Sequence, residues 1–165
     1  MVPIEGAWGE RTQRDRYGES FALQGLGIAQ LRRGKLTEAG SLLRRALTTA
    51  EDSQHRLAEA HALSGLGELA IAAGQPGDAV GRLRKAITLF RQVRVPLSEA
   101  QTLIMLSKIL RALGDRSAAD WAMARVCELA DEVDDWAGRA LRKHLESIGG
   151  YVRPASVALL SGPIG

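Results

Sequence analysis

The chain repeats itself with a period of 40 residues, and this internal repetition constrains its fold more than any other feature of the sequence. Gly34, Gly74 and Gly114 lie in register at this spacing. Leucines, alanines and glutamates recur in the same way: Leu23, Leu63 and Leu103; Leu26, Leu66 and Leu106; Ala39, Ala79 and Ala119; Glu19, Glu59 and Glu99. Because three units align without a gap, we interpret the chain as a tandem array of one supersecondary unit.

Each unit is predicted to be a pair of antiparallel helices. Apolar residues of the second unit recur at helical spacing in two separate stripes. The stripes are Leu63, Leu66, Ala70 and Ala73, then Ala79, Leu83, Ala86 and Ile87. Gly74 lies between them and suits the left-handed backbone that follows a helix end. Pro76 and Pro96 suit the first turn of a helix. The predicted fold class is therefore all-α, a superhelix of three helix pairs followed by one terminal helix.

Small residues and carboxylates add detail to this prediction. Gly27, Gly67 and Ser107 recur within one helix of each unit, where we expect close approach to the partner helix at Ala39, Ala79 and Ala119. A glycine within a helix costs about 1 kcal/mol relative to alanine, so its recurrence indicates a steric demand. The carboxylates of Asp15, Asp115 and Asp135 are expected to cap helix N-termini, and Asp134 is assigned to the same cap as Asp135.

The repeated positions resemble the signature of the tetratricopeptide repeat. The matching residues are Leu23, Leu26, Gly27, Ala39, Leu43 and Ala46 in the first unit; Leu63, Leu66, Gly67, Ala79, Leu83 and Ala86 in the second; and Leu103, Leu106, Ser107, Ala119, Met123 and Val126 in the third. The period of 40 exceeds the usual period of about 34, which is similar to the long-repeat subgroup of multidomain bacterial signalling and transcriptional regulators. Residues 14–20 resemble the joint between units of that subgroup.

The domain boundaries follow from the repeat. Residues 1–14 are interpreted as the remnant of a preceding unit, and residues 15–135 as three repeats, 15–54, 55–94 and 95–135. Residues 136–148 are predicted to form a capping helix with a polar outer face at Arg139, Arg142, Lys143 and Glu146, because a solenoid needs a polar terminal surface. Gly149 and Gly150 are expected to end it, and residues 149–165 to form a flexible tail.

Composition narrows the class of protein. Apolar residues make up 45% and charged residues 25% of the 165 residues, which is typical of a globular protein. No apolar run reaches the length of a transmembrane helix, and the N-terminus has no signal-peptide pattern. We therefore expect a cytoplasmic protein that does not bind membranes. The formal net charge of +3 comes from interspersed charges, whereas nucleic-acid-binding proteins usually concentrate basic residues on one face.

The sequence contains no recognisable catalytic or cofactor-binding motif. His55 and His61 are six residues apart, which does not match the four-residue spacing of a helical zinc pair, and His144 lies in the terminal helix. Cys127 aligns with Leu47 and Ile87 and is interpreted as a buried apolar residue. We therefore predict that the protein is not an enzyme, binds no metal and needs no cofactor.

The resemblance implies a function in protein binding, because the first helix of each tetratricopeptide unit lines a concave groove. The groove positions correspond to Phe21, Gln24, Ile28, Leu31 and Arg32 in the first unit; His61, Ser64, Glu68 and Ile71 in the second; and Gln101, Ile104, Lys108 and Arg111 in the third. Exposed Phe21, Ile28, Leu31, Ile71 and Ile104 are expected to form an apolar strip. The positions that clamp a C-terminal carboxylate in part of the family lack the required Lys and Asn here.

These residues predict a non-catalytic module whose partner is an amphipathic protein segment with an acidic group. Association between copies of the chain is left open. The alternative is nucleic-acid binding through a basic ridge on the second helices, formed by Arg44, Arg45, Arg82, Arg84, Lys85 and Arg125. The sequence favours the protein partner, because the groove lacks the stacking aromatics and recurring polar code of RNA-binding repeats.

Overall fold

The computed structural model describes residues 5–133 and 136–147, with side chains described from residue 15 onward except at Ala137, His144 and Glu146. The described residues form seven helices: α1 Glu5–Arg32, α2 Leu36–Asp52, α3 Arg56–Ala72, α4 Pro76–Gln92, α5 Pro96–Ala112, α6 Arg116–Glu132 and α7 Trp136–Ser147. Each helix packs against the next one along the chain. No strand occurs in these ranges, and the predicted all-α superhelix of three pairs plus a terminal helix is confirmed.

From α2 onward the helices begin at regular intervals, and each interval is half the 40-residue period of the sequence. Helices α2 to α6 each contain 17 residues, and three-residue links join them. Gly34, Gly74 and Gly114, at the centres of the links within pairs, have φ angles of +75°, +71° and +87°, as the sequence predicts. Gln54 and Arg94 adopt the same left-handed backbone between pairs, with φ angles of +52° and +57°. One type of turn therefore connects every helix from α1 to α6.

Side chains and prolines define where the helices begin. Pro76 and Pro96 are the first residues of α4 and α5, as predicted. The carboxylate of Asp115 accepts a hydrogen bond from the amide of Ala118 at 3.0 Å, so its predicted role as a helix cap is also confirmed. The imidazole of His55 accepts a hydrogen bond from the amide of Ala58 at 3.4 Å and caps α3 in the same way.

The prediction for Asp15 is wrong, because α1 runs without a break from Glu5 to Arg32 and contains this residue. Residues 14–20, which resemble a joint between units, likewise lie inside α1. A carboxylate caps a helix only where the backbone leaves free N–H groups, and a continuous helix leaves none at that position. Residues 5–14 extend the first helix, and their assignment to a preceding unit stays a prediction. Residues 1–4, Asp134, Asp135 and 148–165 lie outside the described residues.

The helices of a pair approach closely at the recurring small residues. A Cβ atom added to Gly67 would lie 2.5 Å from Cδ2 of Leu83, and one added to Gly27 would lie 2.7 Å from Cγ of Leu43. The predicted approach to Ala39 is confirmed, because its carbonyl oxygen would lie 3.4 Å from a Cβ atom at Gly27, whereas at Gly67 the nearest atoms all belong to Leu83 and not to Ala79. Leu43 and Leu83 are fully buried, so the glycines provide the space that these leucine side chains occupy.

The position of a unit in the array decides how deeply its repeated residues are buried. Leu66 and Leu106 are each 3% exposed, whereas Leu26 at the same position in the first unit is 57% exposed. Leu66 packs in a cluster with Ala39 and Leu43 of the preceding helix α2. Leu26 has no such neighbour, because no described helix precedes α1. At the other end, α7 packs on α5 and α6.

Gln30 provides a stability prediction. Its Oε1 atom is buried, and no described group donates a hydrogen bond to it. The repeat places buried Ala70 and Leu110 at the equivalent positions. Because a buried polar atom without a partner costs about 1 to 3 kcal/mol, we expect Gln30→Leu to raise the free energy of unfolding by about 1 kcal/mol. Urea denaturation should show this increase, with exposed Gln75→Leu as an unchanged control; a loss of stability in Gln30→Leu would contradict the assignment.

Candidate functional site

A groove of about 360 Å³ lies between the first helices of the three pairs, α1, α3 and α5. It is referred to below as the first-helix groove. Residues that the sequence predicts for partner binding form most of its wall: Gln24, Ile28 and Arg32 from α1, His61, Ser64 and Glu68 from α3, and Gln101 from α5. The stacking of the repeat units brings these residues together, because equivalent helices lie side by side.

Other lining residues lie outside the predicted partner-binding set, and one of them distinguishes α5 from α3. The additional residues are Gly65, Phe90, Ser98, Thr102 and Met105. A Cβ atom added to Gly65 would lie 3.3 Å from the Ile28 side chain, so α3 packs directly on α1. Met105 replaces this glycine in α5. In the described chain α3 and α5 do not form a packed pair of this kind, which is consistent with the methionine side chain standing between them.

A row of aromatic rings supports one wall of the groove. The ring centroids of Phe21 and His61 are 5.2 Å apart, and those of His61 and Phe90 are 4.9 Å apart. Tyr17 contacts Phe21 at 4.7 Å and also stacks near His55 at 4.0 Å. Burial lowers the pKa of His61, which favours the neutral imidazole at neutral pH. A neutral imidazole offers one hydrogen-bond donor and one acceptor to a ligand.

Two opposite charges flank the groove. The carboxylate of Glu68 is half-buried, and burial raises its pKa, while the nearby Arg32 guanidinium partly offsets this change. Arg32 itself is exposed. The described residues include no direct ion pair between these two groups. The Arg32 side chain is therefore available to an acidic group of a partner.

Several predicted groove residues lie outside this cavity. Phe21 belongs to the aromatic row. Leu31 is half-buried and packs against the cluster around Ala39 and Leu43. Ile71 is half-buried against the core of the last unit, Lys108 is exposed, and Arg111 forms an ion pair with Asp120 at 2.8 Å. The apolar strip expected from the sequence is therefore mostly packed against the protein itself.

The prediction that Ile104 is exposed is wrong. Its side chain is 6% exposed and belongs to the core cluster that also contains Leu141 and Leu145 of α7. Helix α7 packs against α5 as well as α6. The equivalent residues Gln24 and Ser64 remain half-buried and line the groove. Ile104 consequently contributes to stability and cannot serve as an exposed anchor.

The other groups singled out in the sequence show no catalytic arrangement within the described residues. No cluster of three or more His, Cys, Asp or Glu side chains there could hold a metal ion. Cys127 is half-buried and packs against the core, and the side chain of His144 lies outside the description. None of the helices in the described ranges has the length and hydropathy of a membrane span.

The predicted basic ridge is partly neutralised by neighbouring groups. Arg125 forms ion pairs with Glu128 at 2.9 Å and with Glu132 at 3.0 Å. Arg82 donates a hydrogen bond to the carbonyl of Leu66. The ridge therefore carries carboxylates among its cations, which reduces the local attraction for phosphate groups.

Comparison with known families agrees with this architecture. Residues 19–92 match the family model described as the tetratricopeptide repeat. The matched segment extends from within α1 to the end of α4, which covers the first two helix pairs. No curated protein matches the chain. The family match supports a repeat protein of the kind that generally mediates interactions between proteins.

Proposed function

We propose that this chain is a tetratricopeptide repeat protein whose first-helix groove binds an extended segment of a partner protein without catalysing a reaction. The observation that supports the proposal most strongly is the groove itself. It lies between equivalent helices of successive units and is lined by side chains that the fold leaves partly open to solvent. The match of residues 19–92 to a family of interaction modules supports the same conclusion.

The side chains of the groove define the chemistry of the proposed partner. Gln24 and Gln101 carry amide groups that can both donate and accept, which suits the backbone of an extended peptide. Ile28 and Met105 offer an apolar contact for one side chain of that peptide. Arg32 is placed to bind an acidic group through charge-assisted hydrogen bonds. An amphipathic segment with at least one carboxylate would satisfy all these groups.

The cellular setting follows from the same resemblance. We infer that the chain acts in the cytoplasm as part of a larger signalling or transcriptional regulator. The 40-residue period of the sequence, with 17-residue helices in the structure, supports assignment to the long-repeat subgroup. Self-association of the chain is a further possibility of the same proposal, and measurements of molecular size in solution would test it.

Two neighbouring arginines provide a matched test of the groove. Arg32 lines the groove, whereas Arg33 is exposed and does not. A partner captured from the producing cells would be reduced to its bound segment by limited proteolysis and titrated by calorimetry. We expect Arg32→Glu to weaken binding at least about tenfold, equivalent to about 1.4 kcal/mol.

Arg33→Glu makes the same change in net charge and should leave the affinity within about twofold of the original value, because distant exposed charges are screened. Equal losses in both variants would mean that overall charge governs binding, and the first-helix groove would then not be the site.

A further inference from the structure

A second cleft lies on the other side of the helix layer, between the second helices α4 and α6. Its volume is also about 360 Å³. Buried Ile87, Leu106 and Leu110 contribute to its floor. Arg84 and Arg91 of α4 and Trp121 of α6 line it as well. This second-helix cleft shares no lining residue with the first-helix groove.

The internal repeat shows that the fold does not require the tryptophan of this cleft, whereas Arg91 also pairs with a buried carboxylate. A shift of 40 residues places Gly81 at the position of Trp121 and Glu51 at the position of Arg91. The helices on which these residues lie have the same length and the same turns. An exposed tryptophan and a second arginine therefore occur here at positions where another unit of the same fold has glycine and glutamate.

The cleft combines positive charge with an exposed aromatic surface. Trp121 is 59% exposed. Arg84 is exposed and forms no ion pair with any described residue. Arg91 pairs with the buried carboxylate of Glu99 at 2.9 Å and remains half exposed. No described residue that lines the cleft carries a carboxylate, so an anionic ligand would meet the guanidinium of Arg84 at the rim and an apolar surface below.

We propose that the second-helix cleft is a second binding site, for an acidic peptide segment that inserts one aliphatic side chain beside Trp121. Tryptophan and arginine are enriched among the residues that dominate binding energy at protein interfaces. A cleft of this size is within the range of ligand-binding pockets. This site is independent of the one proposed for the first-helix groove.

The surroundings favour a peptide over a nucleic acid. Single-stranded nucleic acids bind to grooves where successive bases stack on several aromatic side chains, and Trp121 is the only aromatic side chain among the described residues of this lining. The neighbouring Arg125 is paired with Glu128 and Glu132, which are more than half exposed. These carboxylates would repel a long polyanion that extended along α6 more than a short acidic segment confined to the cleft.

Tryptophan fluorescence offers a direct test. Trp8→Phe and Trp136→Phe leave Trp121 as the only tryptophan of the chain. The probe is a short peptide in which glutamates flank a single leucine. We expect a saturable change in Trp121 emission, and at least about fivefold weaker binding when serine replaces the leucine, because the apolar contact is lost.

The repeat supplies a matched control. Arg84→Glu should weaken binding of the acidic peptide at least about tenfold, whereas Arg44→Glu, the equivalent change one unit earlier, should leave it within about twofold. A substitution that fills the first-helix groove, Ser64→Phe, should also leave it unchanged. The proposal would be overturned by equal losses in Arg84→Glu and Arg44→Glu, by an unresponsive Trp121, or by tighter binding of oligouridylate than of the peptide.

Discussion

The substitution Gly67→Leu is expected to lower the free energy of unfolding by about 3 kcal/mol, at the upper end of the usual cost of overpacking. A Cβ atom at this position would already lie 2.5 Å from Cδ2 and 2.9 Å from Cγ of Leu83. Leu83 is fully buried, so it has no solvent-exposed space into which to move. Helix α3 would have to separate from α4, which opens the interface within the second unit.

The higher helix propensity of leucine opposes the steric cost of the substitution, so the control must carry the same gain in propensity without the steric overlap. Leucine stabilises a helix interior by up to about 1 kcal/mol relative to glycine, so steric overlap must exceed this gain for the variant to be less stable. Gly25 also lies within a helix, but nothing lies within 4 Å of a Cβ atom added there. Urea denaturation should therefore show Gly25→Leu slightly stabilised and Gly67→Leu strongly destabilised. Equal stabilities of the two variants would contradict the close contact.

The sequence predicts the architecture well because the repeat depends on local chemistry. The left-handed turns at Gly34, Gly74 and Gly114 require little except a residue that tolerates positive φ. The same turn at Gln54 and Arg94 was not predicted, since those residues carry no such signal. The first and second helices of a pair have different neighbours, so different positions are buried in each. The sequence pattern therefore repeats every two helices and not every helix.

Asp15 shows where local chemistry is insufficient. An aspartate caps a helix only if the helix begins at that residue, and α1 begins ten residues earlier, at Glu5. Leu26 illustrates a related limit, since its exposure depends on the absence of a preceding described helix and not on its own unit. Both outcomes are decided by tertiary neighbours that a repeat pattern does not describe.

The sequence predicts which positions line the candidate site but not how deeply each side chain is buried. The resemblance to the tetratricopeptide repeat implies that Gln24, Ser64 and Glu68 are groove positions, and the structure places them around one cavity. It does not reveal that Ile104 is buried, because this depends on the packing of α7 against α5. Met105 differs from Gly25 and Gly65 at the equivalent positions, and the repeat alignment shows this difference directly.

The second large effect is expected at the centre of the first-helix groove. Ser64 is half-buried, and its hydroxyl lies 3.5 Å from the hydroxyl of Thr102 across the space between α3 and α5. Ser64→Phe should fill the room that a bound peptide occupies. We therefore expect a loss of at least about hundredfold in affinity, equivalent to about 2.8 kcal/mol.

The control for this variant is Ser41→Phe on α2. Ser41 is exposed and lies outside both clefts, so the same substitution adds the same ring without blocking the groove. Thermal denaturation of both variants should show cooperative unfolding, which separates a blocked site from a misfolded chain.

Calorimetric titration of the captured partner segment into the original protein, Ser64→Phe and Ser41→Phe tests the central claim most directly. Binding through the first-helix groove predicts that the Ser64→Phe variant, while still folded, releases no measurable heat, and that Ser41→Phe binds like the original protein. Undiminished binding by folded Ser64→Phe would contradict the claim, because a peptide could not occupy a groove that a phenyl ring has filled.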